Sequence, residues 1–294
     1  MKKVNILHFF MGSILACSMG FGLYYIKTES DKQKQDQTII AEMQEDAEVK
    51  TEPVNNNNVW GGIDESLLKR IDFDSLKSVN KDVESWLYVN GTSINQAIMR
   101  EPVVDEYKYD LRDWKGRRNT AGSFLFQALP KNSKGETPDD ADQLVLGHKM
   151  VGYNGEKDWQ FSKLPSRWGA LNGATSYPYV YKYYPDHSER WRVWAAVDLW
   201  GDDIVYDQPY ELGSSEYENL INHIKDTCRY ETPVKVDKDT RTLMLSTCNN
   251  PNGRALKRFV LVCVPDANYY YDTKEYVDIN DKKAFAEWKL ADKK

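Results

Sequence analysis

From Trp86 onward the chain is written in short runs of β-branched and aromatic residues, each closed off by turn-forming residues. Residues 86–89, 94–99, 123–127, 143–146, 177–184, 190–199, 240–247 and 259–264 all read this way. Runs of that composition pair edge to edge as strands. Eight of them with few helices between predict a mainly β chain, a single antiparallel or mixed barrel closed on itself. Two short helices are expected ahead of the barrel, at 66–70 and 74–79, with Asp74 as the N-cap of the second. One clear helix falls late, at about 215–228, where Tyr217, Leu220, Ile221 and Ile224 recur at helical spacing. The tail, 281–290, has the pattern of a last amphipathic helix.

The N-terminus is of another kind. Lys2 and Lys3 precede an apolar stretch from Val4 to Ile26, broken only by Asn5, His8, Ser13 and Ser18. A bilayer needs about 20 such residues. Ile14-Leu15-Ala16-Cys17 loosely resembles a lipoprotein box, but the apolar run continues past it through Phe21, Leu23, Tyr24 and Tyr25. The reading taken is an uncleaved single-pass anchor over residues 1–27, touching the membrane through 4–26. Residues 28–60 are rich in Lys, Glu, Asp, Gln and Asn, with a run of four asparagines at 55–58, and read as a flexible tether, which the family resemblance given below makes extracellular. A short helix around 39–49 is the alternative for part of it. Residues 61–294 then form the folded domain, with a C-terminal extension from about 266. The net charge of −6 and the lack of a basic stripe argue against nucleic acid as a partner. Four cysteines without a CxxC pair exclude a disulfide scaffold, a zinc ribbon and a thioredoxin-type site. No carboxylate cluster asks for calcium, and no metal or cofactor is expected.

The candidate chemistry begins at Thr242-Leu243-Met244-Leu245-Ser246-Thr247-Cys248, an apolar run that ends in a cysteine. The dense turn signal Asn249-Asn250-Pro251-Asn252-Gly253 follows, and a second strand opens at Arg258. If the two strands pair as a hairpin, Cys248 and Arg258 meet across its mouth. A cysteine beside a cation has its thiolate stabilised. Free cysteines are more often small buried hydrophobes, which is the reading for Cys228 and Cys263. A cysteine nucleophile also needs an acid–base partner. His8 lies in the anchor, His187 in a turn, and His223 on the late helix. His148 follows Gly147 at a strand end, where glycine permits a sharp turn or a close approach. Ser246, two residues before Cys248, faces the same side of its strand and is either a substrate contact or a satisfied barrel serine. Tyr181, Tyr183 and Tyr184 edge a groove or pack in the core.

Leu245-Ser246-Thr247-Cys248, with Arg258 ten positions later and Gly147-His148 a hundred positions before the cysteine, resembles the sortase signature. The early segments Asn80–Val89 and Gly91–Ile94, the segment Ala121–Phe126, and the helix ahead of the cysteine strand are similar to class B sortases. The resemblance covers roughly residues 63–265. The loop 249–257 and the long tail after Pro265 depart from it. It implies an eight-stranded sortase-type barrel with His148, Cys248 and Arg258 in the active site, and Leu111 lining the groove by family position. It implies a cysteine transpeptidase at the outer face of a Gram-positive cell membrane, with its catalytic domain extracellular. Cys248 attacks the threonine carbonyl of a C-terminal sorting motif in a secreted protein and forms a thioester. An amine of a cell-wall precursor or a pilin lysine resolves it, so that surface proteins are anchored or pili assembled. His148 moves the protons and Arg258 donates to the oxyanion.

Two other readings stay open on the residues alone. A papain-like cysteine hydrolase would place its cysteine at a helix start, ahead of the histidine, and here both the order and the element are reversed. A tethered extracellular binding module with a structural Cys248 predicts no thiol reactivity and tolerance of Cys248→Ala.

Overall fold

A computed structural model describes residues 31, 34–47, 50–51, 64–100, 108–119, 121–126, 142–150, 159–207, 209–249 and 257–279. Eight strands form the frame: β1 Val83–Tyr88, β2 Asn95–Arg100, β3 Phe124–Phe126, β4 Asp142–Leu146, β5 Tyr179–Tyr183, β6 His187–Trp200, β7 Thr242–Cys248 and β8 Lys257–Tyr270. Their order is β6-β5-β1-β2-β3-β4-β7-β8, and β8 pairs back onto β6, closing the barrel. β2/β3 and β4/β7 are parallel and the other barrel pairs antiparallel, so the barrel is mixed. Register shifts between Arg190 and Trp191 and between Val193 and Ala195 let the long β6–β8 pair coil as closure demands.

Alternation sorts the barrel's side chains. Leu87, Ile98, Phe124, Phe126, Val145, Val180, Leu243, Leu245, Phe259, Leu261 and Cys263 share one buried cluster with Phe161, Leu164 and Trp168. Residues of the opposite strand face, among them Leu144, Met244, Val260, Val262 and Val264, pack under α5, Ser215–Thr227. Ser214 caps that helix through Tyr217 N, and Tyr217, Leu220, Ile221 and Ile224 are its buried stripe, as the spacing predicts.

Several expectations need correction. The stretch expected as a first helix is a 3₁₀ turn, Glu65–Leu68, capped by Asp64, with Leu67 and Leu68 buried; the chain turns extended at Lys69, which ends it after that turn. Lys69–Arg70 then pairs antiparallel with Lys50–Thr51. The next helix, α2 Phe73–Val79, is capped by Asp72, whose carboxylate accepts from Ser75 N at 2.9 Å; Asp74 sits in the first turn instead. Two short helices not expected, α3 Lys163–Trp168 and α4 Leu171–Ser176, lead into β5. β5 begins at Tyr179, after Pro178, whose nitrogen has no hydrogen to give a ladder. β8 runs on to Tyr270 and pairs with a further strand, Glu275–Asp278, so the extension from about 266 starts inside the barrel wall.

The segment read as a solvated tether holds a docked helix. Residues 34–46 form α1, and Ile39, Met43 and Ala47, spaced four apart, join Leu67, Leu76, Trp86, Ala97 and Trp114 in a third buried cluster. Ala47 O accepts from Asp72 N at 2.9 Å, and Gln44 Nε2 donates to Asn95 O at 2.7 Å. Ile39, Met43 and Ala47, with Ile40 partly buried beside them, seat this largely polar segment. The apolar stretch 4–26 and the tail 281–290 lie outside the described residues. Among the described residues no helix is long and apolar enough to cross a membrane.

Candidate active site

β7 and β8 pair so that Cys248 stands opposite Arg258, at the open end of the hairpin. Arg258 Nη1 donates to Cys248 Sγ at 3.0 Å. Every other residue of β7 is buried, whereas Cys248 is partly exposed. The thiol therefore sits where the strand surfaces, beside a cation. Cys228 is partly exposed outside this pair, and Cys263 is fully buried in the barrel cluster, where burial alone holds its thiol protonated well beyond the ordinary range.

His148 arrives from the neighbouring parallel strand. Leu146 is the Cα partner of Ser246, and Gly147 N donates to Ser246 O at 3.1 Å. Two residues further along each chain stand His148 and Cys248. Gly147 is needed for close approach: a Cβ there would lie 2.5 Å from Phe161 and 2.9 Å from Phe124, two rings that pack with centroids 4.1 Å apart. His148 is partly buried, and its Nε2 meets Asp110 O at 2.8 Å and Asp110 Oδ1 at 3.1 Å.

Asp110 belongs to a braced loop. Tyr109 and Trp114 are buried anchors, and Asn80 Nδ2 donates to both Tyr109 Oη and Trp114 O. Tyr109 Oη donates to Asp82 at 2.7 Å, as does Lys108. The buried Asp113 carboxylate takes Arg117 N and Nε, and Leu111 O accepts from Asn119 N at 2.9 Å. Leu111 itself is 49% exposed, one residue from the histidine's partner.

Above β7 stands the 3₁₀ turn Ile204–Tyr206, capped by Asp203. Tyr206 Oη lies 2.8 Å from Ser246 Oγ. Burial pushes the Tyr206 hydroxyl up to about 12, against the pull of Ser246 and of the Arg258 charge, so it stays protonated at neutral pH. Ser246 is buried and its hydroxyl satisfied by that tyrosine. Asn249, next to the cysteine, donates from N to Lys257 O at 2.9 Å and from Nδ2 to Asp198 Oδ1 at 2.7 Å. Asp198 in turn pairs with Arg229. Tyr181 and Tyr183 are core residues. Sequence reasoning did not find Asp110, Tyr206 or Asp198, and only the tertiary fold brings them to this end of the barrel.

No protein-family model matches the chain. Sortase B of Staphylococcus aureus is 24% identical over 194 residues, spanning 66% of this chain and 74% of that protein. Sortase B of Listeria monocytogenes is 23% identical over 248 residues, spanning 82% and 89%. The crystal structure of sortase B from B. anthracis superposes with a TM-score of 0.59 at 19% identity, covering 79% of this chain and 96% of that one. The closed eight-stranded barrel is the fold of that sortase B structure, and the sequence relatives support a cysteine transpeptidase of the sortase type. Within that family the chain is class B-like.

Proposed function

We propose that this chain is a membrane-tethered sortase that cleaves a C-terminal sorting motif of secreted proteins after threonine and joins the product to an amine. Cys248 is the nucleophile, His148 the acid–base and Arg258 the oxyanion donor. The observation that carries the reading is the Arg258 guanidinium 3.0 Å from the Cys248 sulfur at the one point where β7 reaches the surface.

The steps follow from those groups. His148 takes the thiol proton, and the sulfur forms a bond to the threonine carbonyl carbon. Negative charge moves to the carbonyl oxygen, where Arg258, always protonated, donates hydrogen bonds. The C–N bond breaks as His148 returns the proton to the leaving nitrogen, which leaves a thioester on Cys248. An amine, from a cell-wall precursor or a pilin lysine, attacks the thioester and gives its proton to His148, and the thiolate departs. Leu111 and Ser246 line the groove in this reading, Ser246 through the hydroxyl it shares with Tyr206. The apolar stretch 4–26 tethers the enzyme at the outer membrane face.

The test uses the chain from residue 28 on, which keeps α1. A panel of sorting-motif peptides is followed by mass spectrometry with and without a primary amine. The expected result is a covalent acyl adduct and amine-dependent product, both lost in Cys248→Ala. Cleavage that persists in Cys248→Ala refutes the reading.

A further inference from the structure

The proposed triad leaves Asp110 without a role, yet Asp110 touches the histidine twice. His148 Nε2 lies 2.8 Å from the Asp110 carbonyl oxygen and 3.1 Å from its carboxylate. A carbonyl oxygen accepts and never donates, so the nitrogen it meets at that distance carries the hydrogen. Nε2 is thereby committed, and Nδ1 is the ring nitrogen left for proton exchange. The carboxylate adds what the carbonyl cannot: a negative charge beside the ring at the step where His148 is doubly protonated.

The loop is built to hold this contact still. Tyr109 and Trp114 are buried on either side of Asp110, and Ser123 N donates to Tyr109 O at 3.0 Å. Gly122, at φ +61°, passes so close that a Cβ would lie 2.4 Å from the Asp110 oxygen that His148 uses. Only glycine allows the chain to turn there without displacing that oxygen. We propose that Asp110 is the positioning residue for His148: it fixes the imidazole in the Nε2–H form, directs Nδ1 to the thiol, and stabilises the imidazolium. The proposal rests on the catalytic reading of His148 given above.

The test uses the full chain in mild detergent with its four histidines labelled with nitrogen-15. His148→Ala assigns the resonance. In the wild type the neutral His148 ring is expected to carry its proton on Nε2. In Asp110→Ala the main-chain carbonyl remains, and the carboxylate is lost with both its charge and its acceptor oxygen. Its kcat on a sorting-motif peptide is expected to fall about tenfold, a share of what a positioned acid–base group supplies, with KM within about twofold. Asp110→Asn keeps an acceptor oxygen in the same place and is expected to recover about a third of wild-type kcat, as rescue of orientation without charge. An Nδ1–H tautomer in the wild type overturns the proposal, and so does unchanged kcat in Asp110→Ala. If His148→Ala itself retains turnover, the fault lies in the catalytic reading; if His148→Ala is dead and Asp110→Ala is fully active, it lies in the positioning role alone.

Discussion

Arg258 faces Cys248 because the β7–β8 register makes them Cα partners, and that register decides how Arg258 can be replaced. A lysine at this position reaches the pocket as a single ammonium point charge. It cannot present the flat fork of donors that a guanidinium aims at sulfur and oxyanion together. Arg258→Lys is expected to lower kcat by about two to three orders of magnitude, the usual cost of losing an oxyanion donor, with the fold intact by circular dichroism. Steady-state kinetics on a cleaved sorting-motif peptide would decide it, and near-full activity would remove Arg258 from the chemistry. This pair was legible in the sequence, since a cysteine closing an apolar run and an arginine opening the next lie either side of a turn. His148 was legible for the same reason, as the residue after a glycine at a strand end. Asp110 and Tyr206 were not. Each reaches the site from a segment without periodicity, and nothing local ties Tyr206 to Ser246 forty positions away.

At the scale of elements, periodic segments were readable and short ones were not. α5 announces itself by an apolar stripe over two turns, Tyr217 to Ile224. α3 and α4 have six residues each, with Pro165 inside the first and Gly173 inside the second, and their helicity comes from tertiary packing of Leu164, Trp168 and Ala174. The loop that carries Asp110 was equally opaque, because its bracing runs through side chains distant in sequence. Asp82 holds that loop through Lys108 and Tyr109. Burial works against its ionisation, but the hydrogen bonds from Lys108 and Tyr109 outweigh it and leave the carboxyl below its ordinary value. A carboxyl depressed in the folded state stabilises the fold above its unfolded pKa, and that contribution is lost as pH falls through the folded value. The melting temperature of the wild type should therefore exceed that of Asp82→Asn by a constant margin above about pH 5, with the gap closing in more acidic buffer. A margin that stays constant down to acid would show that the carboxylate charge contributes nothing.

The whole molecule extends further toward its N-terminus than composition suggests, and this bears on where the folded unit begins. Polar residues dominate 28–60, so a chain cut at Trp60 looks complete from the sequence alone. In the structure such a cut removes α1 and with it Ile39, Met43 and Ala47 from the cluster that also holds Trp86, Tyr109 and Trp114. Full burial of an isoleucine or methionine side chain is worth roughly 1.5–3 kcal/mol, so the two larger residues contribute about 3–6 kcal/mol before the ordering entropy of the helix is subtracted. The cut also strips Gln44 from Asn95 O and Ala47 O from Asp72 N, at the first turn of α2. Because Tyr109 and Trp114 sit in this same cluster, loosening it loosens the loop that presents Asp110 to His148. The chain from residue 60 is thus expected to melt several degrees below the chain from residue 28, by differential scanning calorimetry at equal concentration. Its kcat on a sorting-motif peptide is expected to fall as well, while thiol labelling of Cys248, whose strand packs beneath α5 and gives no residue to the α1 cluster, stays unchanged. Equal melting temperatures would mean that α1 lies on the barrel without supporting it, and equal kcat that the third cluster and the catalytic end are uncoupled.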